Sequence, residues 1–489
     1  MVRVSNASPS ATPDTAATAT RYWLRLLPLL AAVALATRLP SFLRPIWNPD
    51  EGFLATQARM LANGGVLYDT VVDRKPPLLP WAYQGLFALF GDGSLQPVRV
   101  LAIAAHLLTA LAVVGIARRR WGNRAGAGAG VLYLLVSVGL APEDAQAASF
   151  EVFMLPGTAG AFYFADRGRW ALAGTCAALA ALTKQTGGAV LLPVLWMMWR
   201  DRDRSDDPGR GGAHALLGFL VPIGMAALIT GPGRFLFWTV TGSGSYASSM
   251  SGSWPTALAR ALGNAAILSA AAGALVAAIG HILLRRRAVA DADLWLWLAS
   301  SAVAVVVGFH FFGHYYLQLV PPLVLLGVDA LHHLPRWQRP ALFLTAVVAG
   351  VFVVWGLLHP TKELDHAEAV AQAVAERTDR QDTVLIWGMH PEDYWLADRQ
   401  PASRYLTAGF LTNFSGGRGQ HQVGKAHAVP GAWATFEQET RARRPALVVD
   451  DSRGAPYRPS ELPALERMLD DHYERVGTVD GAVLYARKS

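Results

Sequence analysis

Apolar segments of near-membrane length recur along most of this chain, and every second connection between them is rich in arginine. The segments fall at about 22–40, 98–117, 124–141, 147–165, 169–182, 187–199, 212–230, 261–284, 293–309, 316–334 and 341–358. Most approach the roughly 20 residues needed to cross a hydrocarbon core. Of the 489 residues, 52% are hydrophobic and only 16% charged, whereas a soluble protein carries about 25% charged residues. The pattern predicts an α-helical polytopic membrane protein with about eleven spans. The pair 169–182 and 187–199 is short, and reads either as two tilted spans or as one element broken at TKQTGG.

The arginines set the orientation. Connections 118–124 (RRRWGNR), 166–169 (DRGR), 285–287 (RRR) and 335–339 (PRWQR) are basic, and 200–211 (RDRDRSDDPGRG) belongs to the same side. Short basic loops stay cytoplasmic. Residues 1–21 then form an inner tail, 22–358 the membrane domain and 359–489 an exterior tail. Residues 1–20, rich in Ala, Ser and Thr, are expected to be disordered. The segment 22–40 lacks a cleavage site and reads as an anchor. The net charge of +7 follows from where these arginines fall and does not call for nucleic acid. The single cysteine, Cys176, excludes an intramolecular disulfide and a Cys-based metal site.

Beyond 360 the pattern changes. TVLIWG (383–388), PALVVDD (445–451) and GAVLYAR (481–487) read as strands, and KELDHAEAVAQAVAERT (362–378) as an amphipathic helix. A small exterior α/β domain is expected. No P-loop or GxGxxG lies at its strand ends, so no nucleotide site is predicted.

Charges beside a bilayer are functional candidates because they are expensive unless they border water. NPDEG (48–52) and DRKPPLLPW (73–81) follow the first span. Asp50 can cap the helix opened by EGFLATQARML, or face a substrate cavity. Its neighbour Glu51 diverges from it, toward the cavity or a metal. Lys75 precedes two prolines that stiffen the backbone, which suits a phosphate contact, although it can also snorkel to lipid headgroups. Asp73 and Arg74 line the same loop or pair with each other. LLPWAYQGLFALFG reads as an interfacial or re-entrant helix.

APEDAQAASFEVFMLP (141–156) carries Glu143, Asp144 and Glu151; the first two can cap the next helix, and Glu151 can face the cavity. Lys184 and Gln185 interrupt an apolar stretch, so Lys184 must snorkel or meet a phosphate or a distant carboxylate. FHFFGHYYLQLVPP (309–322) brings His310, His314, Tyr315 and Tyr316 to the outer boundary, as an aromatic belt or as part of the site. His310 and His314, four apart, share a face if helical and are candidate ligands, with Glu51, for a divalent cation. Mg²⁺ or Mn²⁺ suits the oxygen ligands, and histidine favours Mn²⁺ or Zn²⁺. The lysines can do the same electrostatic work without an ion. Arg404 is a candidate phosphate contact, and TGSGSYASSMSGSW (241–254) a mobile cover.

The Asp-Glu pair after the first span, followed by D-x-K-P-P-L and an aromatic, resembles the polytopic glycosyltransferases of the GT-C class. The chain is most similar there to the family of protein O-mannosyltransferases and lipid A aminoarabinose transferases, over residues 22 to about 335. WGMHPEDYWLADRQPASRY (387–405) also looks like the exterior domain of bacterial relatives. The resemblance implies a catalytic acid at Asp50, a phosphate-contacting lysine at Lys75 and a second loop acid for which Asp144 is the nearest fit. It implies inverting transfer of a single sugar from a polyprenyl-phosphate donor to an acceptor hydroxyl on a glycan, lipid or protein, at the exterior face of a bacterial plasma membrane. Three other readings remain at this stage: a lipid-linked oligosaccharide ligase or polymerase, a secondary transporter, and a membrane scaffold subunit. A transporter fits less well, because the two halves show no repeat and the tail is folded.

The charge alternation makes a topological prediction. A cysteine introduced in the tail should react with an impermeant reagent from the outer face, and one at position 286 should not. The reverse labelling pattern would invert the orientation.

Overall fold

A computed structural model describes residues 13–202, 208–242, 254–285, 291–360, 362–414 and 423–488. The helices are α1 (Pro13–Thr37), α2 (Pro49–Ala62), α3 (Leu78–Phe90), α4 (Gln96–Trp121), α5 (Asn123–Val136), α6 (Pro142–Ala145), α7 (Phe150–Ala165), α8 (Trp170–Thr183), α9 (Leu191–Arg200), α10 (Pro208–Thr230) and α11 (Pro232–Leu236). They continue with α12 (Trp254–Ala271), α13 (Gly273–Leu284), α14 (Ala292–Val306), α15 (Val320–His332), α16 (Gln338–Leu358), α17 (Lys362–Arg377) and α18 (Glu392–Leu396). Each expected span contains a helix. By length and composition alone, α4, α10 and the apolar run holding α16 are long enough to cross a membrane, and a fourth is reached if α12 and α13 count together. Eleven spans therefore exceed what the helices establish.

The differences from the sequence reading are local. The stretch 261–284, expected to be one span, bends by 87° between α12 and α13. The first helix begins at Pro13, so residues 13–20 are helical rather than unstructured. The break at TKQTGG is real: α8 ends at Thr183, Gln185–Val190 form a 3-10 turn, and α9 follows. Residues 1–12, the proposed cover between 243 and 253, Arg286 and Arg287 lie outside the described residues.

The outer faces of the helices are apolar. α10 exposes Leu216, Leu220, Met225, Leu228 and Ile229, and α16 exposes Phe343, Val347, Val351 and Leu358. Water-facing surfaces rarely carry such contiguous apolar area, and lipid accommodates it.

Charged clusters mark the two ends of α7. At its C-terminal end, Asp166 pairs with Arg120 at 2.9 Å, and Arg120 also meets the buried Asp293 of α14 at 2.8 Å, which Arg200 reaches at 3.2 Å. Three of the connections assigned to the inner side therefore converge. At the N-terminal end, Glu151 pairs with Lys184 in the break after α8. Glu151 and Asp166 lie 15 positions apart along this helix and its cap, about 22 Å at 1.5 Å per residue.

The C-terminal region forms a five-stranded sheet of order β2-β1-β3-β5-β4. Strands β1 (Thr383–Trp387), β3 (Leu447–Asp450) and β5 (Ala482–Arg487) fall where the sequence places them, and β2 (Gln400–Pro401) and β4 (Tyr473–Val479) were not foreseen. β1 pairs in parallel with β2 and β3, whereas β5 is antiparallel to β3 and β4. Strand β2 is only two residues long, and β4 carries Glu474, Arg475 and Gly477 with little burial, so neither shows the buried apolar run of a central strand. The core of the sheet also takes in Met60 and Leu61 of α2 and Leu67, Tyr68, Val71 and Val72 of the loop that follows it.

Helix α18 docks on α2. Thr56 Oγ1 donates to the Pro391 carbonyl at 2.8 Å, and Arg59 donates to the Trp395 carbonyl at 3.0 Å. A Cβ on Gly52 would lie 2.3 Å from Glu392 Cβ and 2.7 Å from its Cα, so the docking requires glycine. Gly52→Ala should destabilise the protein by about 1–3 kcal/mol through overpacking. Gly85→Ala in α3, where a Cβ meets nothing within 4 Å, should be neutral or stabilise by up to about 1 kcal/mol. Thermal unfolding of both variants in detergent checks this, and equal melting temperatures would refute it.

Candidate active site

Asn48 caps α2. Its Oδ1 accepts from Glu51 N at 3.1 Å, and Pro49 occupies the first helical position. Asp50 therefore does not serve as the cap, and its carboxylate turns to other groups. Lys75 Nζ lies 3.2 Å from Asp50 Oδ2 and 4.0 Å above the Phe150 ring. His314 Nε2 approaches the same Asp50 oxygen at 3.8 Å, while its Nδ1 is 2.5 Å from Asp144 Oδ1. Lys184 is paired with Glu151, and its ammonium sits 3.6 Å above the Tyr315 ring. One cluster thus unites Asp50, Lys75, Asp144, Glu151, Lys184, His314 and Tyr315, residues spread over some 265 positions of sequence on the order of half the chain.

The electrostatics follow from this packing. Burial would raise the Asp50 carboxyl, but Lys75, then His314 and Lys184, outweigh it and hold Asp50 below the usual range. Asp73 is nearly inaccessible, and burial pushes its carboxyl up to about 6 although Lys75 N donates to its Oδ1 at 3.2 Å. Of the two acids, Asp73 holds a proton more readily.

The other candidates are placed differently. Glu51 is a structural anchor. Its Oε2 accepts from Trp47 N at 2.8 Å and from Arg99 at 3.0 Å, its Oε1 accepts from Ala148 N at 2.6 Å, and both members of the ion pair are buried. Arg74 stacks over Phe410 at 4.7 Å, and Gln185 donates to the Arg74 carbonyl at 2.7 Å. Glu143 Oε2 meets His359 at 3.3 Å, outside the cluster. Tyr316 donates to the Ala261 carbonyl at 2.9 Å and is buried against α12. Arg404 meets Glu439 Oε1 at 2.7 Å and donates to the Asp69 carbonyl at 2.7 Å. Its guanidinium joins the sheet region to the first loop, which leaves a phosphate role without support.

The proposed metal set does not fit. Glu51 has its oxygens filled by the donors above. His310 and His314 are not on a helix: Phe309 and Phe311 have φ of 52° and 51°, and the 3-10 turn begins at Gly313. His314 presents a nitrogen to each of two carboxylates. Among the described residues, no three His, Cys, Asp or Glu side chains are disposed to hold an ion.

Arg99 was missed as a site-building residue. A lone arginine at the start of an apolar span is itself a signal, since such charges seek a partner. Phe150 carries no comparable sequence signal.

Residues 74–224 match the family described as dolichyl-phosphate-mannose-protein mannosyltransferase. The sequence gives no match among curated proteins. In structure, the chain is similar to ArnT from Cupriavidus metallidurans bound to undecaprenyl phosphate, with a TM-score of 0.63, 17% identity and coverage of 96% of this chain and 98% of that one. It is also similar to the Archaeoglobus fulgidus oligosaccharyltransferase in complex with Zn and sulfate, with a TM-score of 0.51, 14% identity and coverage of 94% and 73% respectively.

Because Arg99 is buried with Glu51, Glu51→Ala should cost about 3–5 kcal/mol by stranding a charge. Asp50→Asn, which loosens a partly exposed pair, should cost no more than about 1 kcal/mol. Melting temperatures of the two variants test the division, and a Glu51→Ala protein as stable as the parent would contradict it. These matches show a likeness in sequence to that mannosyltransferase family over residues 74–224 and a likeness in fold to ArnT over nearly the whole chain.

Proposed function

We propose that this chain transfers a single sugar from a polyprenyl-phosphate donor to an acceptor hydroxyl, with inversion, at the exterior face of a bacterial plasma membrane. In this reading residues 22–358 form the membrane domain and 359–489 an exterior domain. The observation that carries it is the Asp50–Lys75 pair, a carboxylate and an ammonium 3.2 Å apart at one end of the bundle, with Lys184 close enough to influence Asp50. Such a donor has an apolar tail that can lie along the helices and a phosphate leaving group that needs positive charge. The ArnT structure with undecaprenyl phosphate supports that donor class.

The acceptor oxygen attacks the anomeric carbon, and the bond from that carbon to the phosphate oxygen breaks. The bonding pair leaves with the phosphate, and the hydroxyl proton passes to an Asp50 oxygen. Lys75 and Lys184 offset the charge on the leaving phosphate. Lys75 has a second effect. While it is paired with Asp50 it lowers the basicity of that carboxylate. A donor phosphate that draws the ammonium away raises that basicity, so a full site has a stronger base than an empty one. Asp144 acts behind His314, and Glu151 holds Lys184 in place. The acceptor is a glycan, a lipid or a protein.

Asp50→Asn should lower transfer from a polyprenyl-phosphate sugar by about 10²–10⁴-fold, the usual worth of a general base, while donor binding survives. Transfer near the parental rate at saturating donor and acceptor would remove Asp50 as the base. The product should gain the mass of one sugar, and a larger increment would make the enzyme a block transferase. Efficient transfer from a soluble nucleotide sugar in preparations free of lipid donor would overturn the donor assignment.

A further inference from the structure

We propose that His314 is the built-in cation of this site, bridging Asp50 and Asp144 in the position a divalent ion would otherwise take. The proposal rests on the glycosyl-transfer reading for its catalytic consequence, but not for the geometry.

Asp50 stands on α2 and Asp144 on α6, and the imidazole lies between their carboxylates. A neutral imidazole has one N–H and one lone pair, so one carboxylate would face a lone pair; only the imidazolium presents an N–H toward both, hydrogen-bonded to Asp144 and at the longer ion-pair distance of 3.8 Å from Asp50. Burial would favour the neutral ring, but Glu151, Asp144 and Asp50 outweigh it and raise the His314 pKa. The ring is also held in place. Phe312 stacks on it at 5.7 Å and 9°, and Tyr315 meets it edge-on at 4.9 Å.

Gly313 completes the seat. A Cβ there would lie 2.2 Å from Asp144 Oδ2, so the glycine lets that carboxylate reach the ring. The donor set agrees, because Asp144 is hydrogen-bonded to the ring, Asp50 is paired with Lys75, and Glu51 is filled by Arg99 and two backbone amides. His314 is a positioning residue: it fixes the direction of the Asp50 carboxylate and leaves Lys75 and Lys184 to meet the phosphate.

The test combines metal content with turnover. The full-length protein, purified through chelator, should carry no stoichiometric metal by mass spectrometry, and EDTA should leave its transfer rate unchanged. His314→Gln should lower kcat by about 10–100-fold, as expected for a group that orients a reacting one, with little change in KM for the lipid donor. His314→Asp places three carboxylates together, and this variant should bind Mn²⁺ in electron paramagnetic resonance titrations and recover transfer when Mn²⁺ is added. The parent should do neither. Stoichiometric metal in the parent, loss of its activity in EDTA with recovery on adding metal, or full turnover by a stably folded His314→Gln would overturn the proposal. If the parent transfers no sugar, the glycosyl-transfer reading fails. A metal-free parent beside an Mn²⁺-binding His314→Asp would still uphold the cation assignment.

Discussion

The buried Glu51–Arg99 pair is the interaction on which the site depends. Neither partner is appreciably exposed. A pair of this kind gains little over a well-packed apolar substitute, but breaking it is costly, so its value lies in specifying one arrangement. Glu51 joins three places at once: α2 through its own backbone, α4 through Arg99, and the segment before α7 through Ala148 N. Tyr83 of α3 donates to the Ala148 carbonyl at 2.7 Å, adding a fourth. The residue before Glu51 is Asp50. With Glu51 fixed inward, a one-residue step turns Asp50 by about 100° around the helix, away from the core. The adjacent acids thus divide into an anchor and a group that faces Lys75 and His314.

Polarity along α7 orders the rest. Glu151 at one end and Asp166 at the other each gather basic residues. The basic groups at the Asp166 end come from the arginine-rich connections, whereas Glu151 is paired with Lys184, a single lysine in an otherwise apolar stretch. The separation, about one membrane leaflet and more, puts the arginine clusters and the candidate site at opposite ends of the same helix.

Much of the bundle was legible because apolar length and charge alternation are local properties. The positions of β1, β3, β5 and α17 were legible for the same reason: each has a regular apolar period. The candidate site was legible only in part. Asp50, Lys75 and Lys184 stand out as charges in apolar or proline-stiffened surroundings, and the need of Lys184 for a distant carboxylate is met by Glu151. Glu51 was expected at the cavity or a metal because adjacency shows that two acids diverge but not which one turns inward. His310 and His314 would share a face if their segment were helical. The positive φ values of Phe309 and Phe311 break that period, and such values are unfavourable for aromatic residues unless tertiary packing imposes them. The His314 bridge joins residues 170 positions apart, a relation that no local pattern encodes.

The C-terminal sheet bears on the site through α2 rather than by supplying a charge to the cluster. Arg404, the expected contribution, is tied to Glu439 and the first loop. The docking of α18 is what reaches the centre: Glu392 against Gly52, Pro391 against Thr56, and Trp395 against Arg59 follow successive turns of α2. Arg59 also pairs with Asp92 after α3 and with Asp398 beyond α18. The helix carrying Asp50 is therefore held from within the bundle at Glu51 and from the sheet side along its next two turns. Lys75 sits on the loop whose apolar residues enter the core of the sheet. Asp50 and Lys75 are thus both tied to the sheet side, Asp50 through α2 and Lys75 through the loop, while Glu51 fixes the start of the same helix to the bundle.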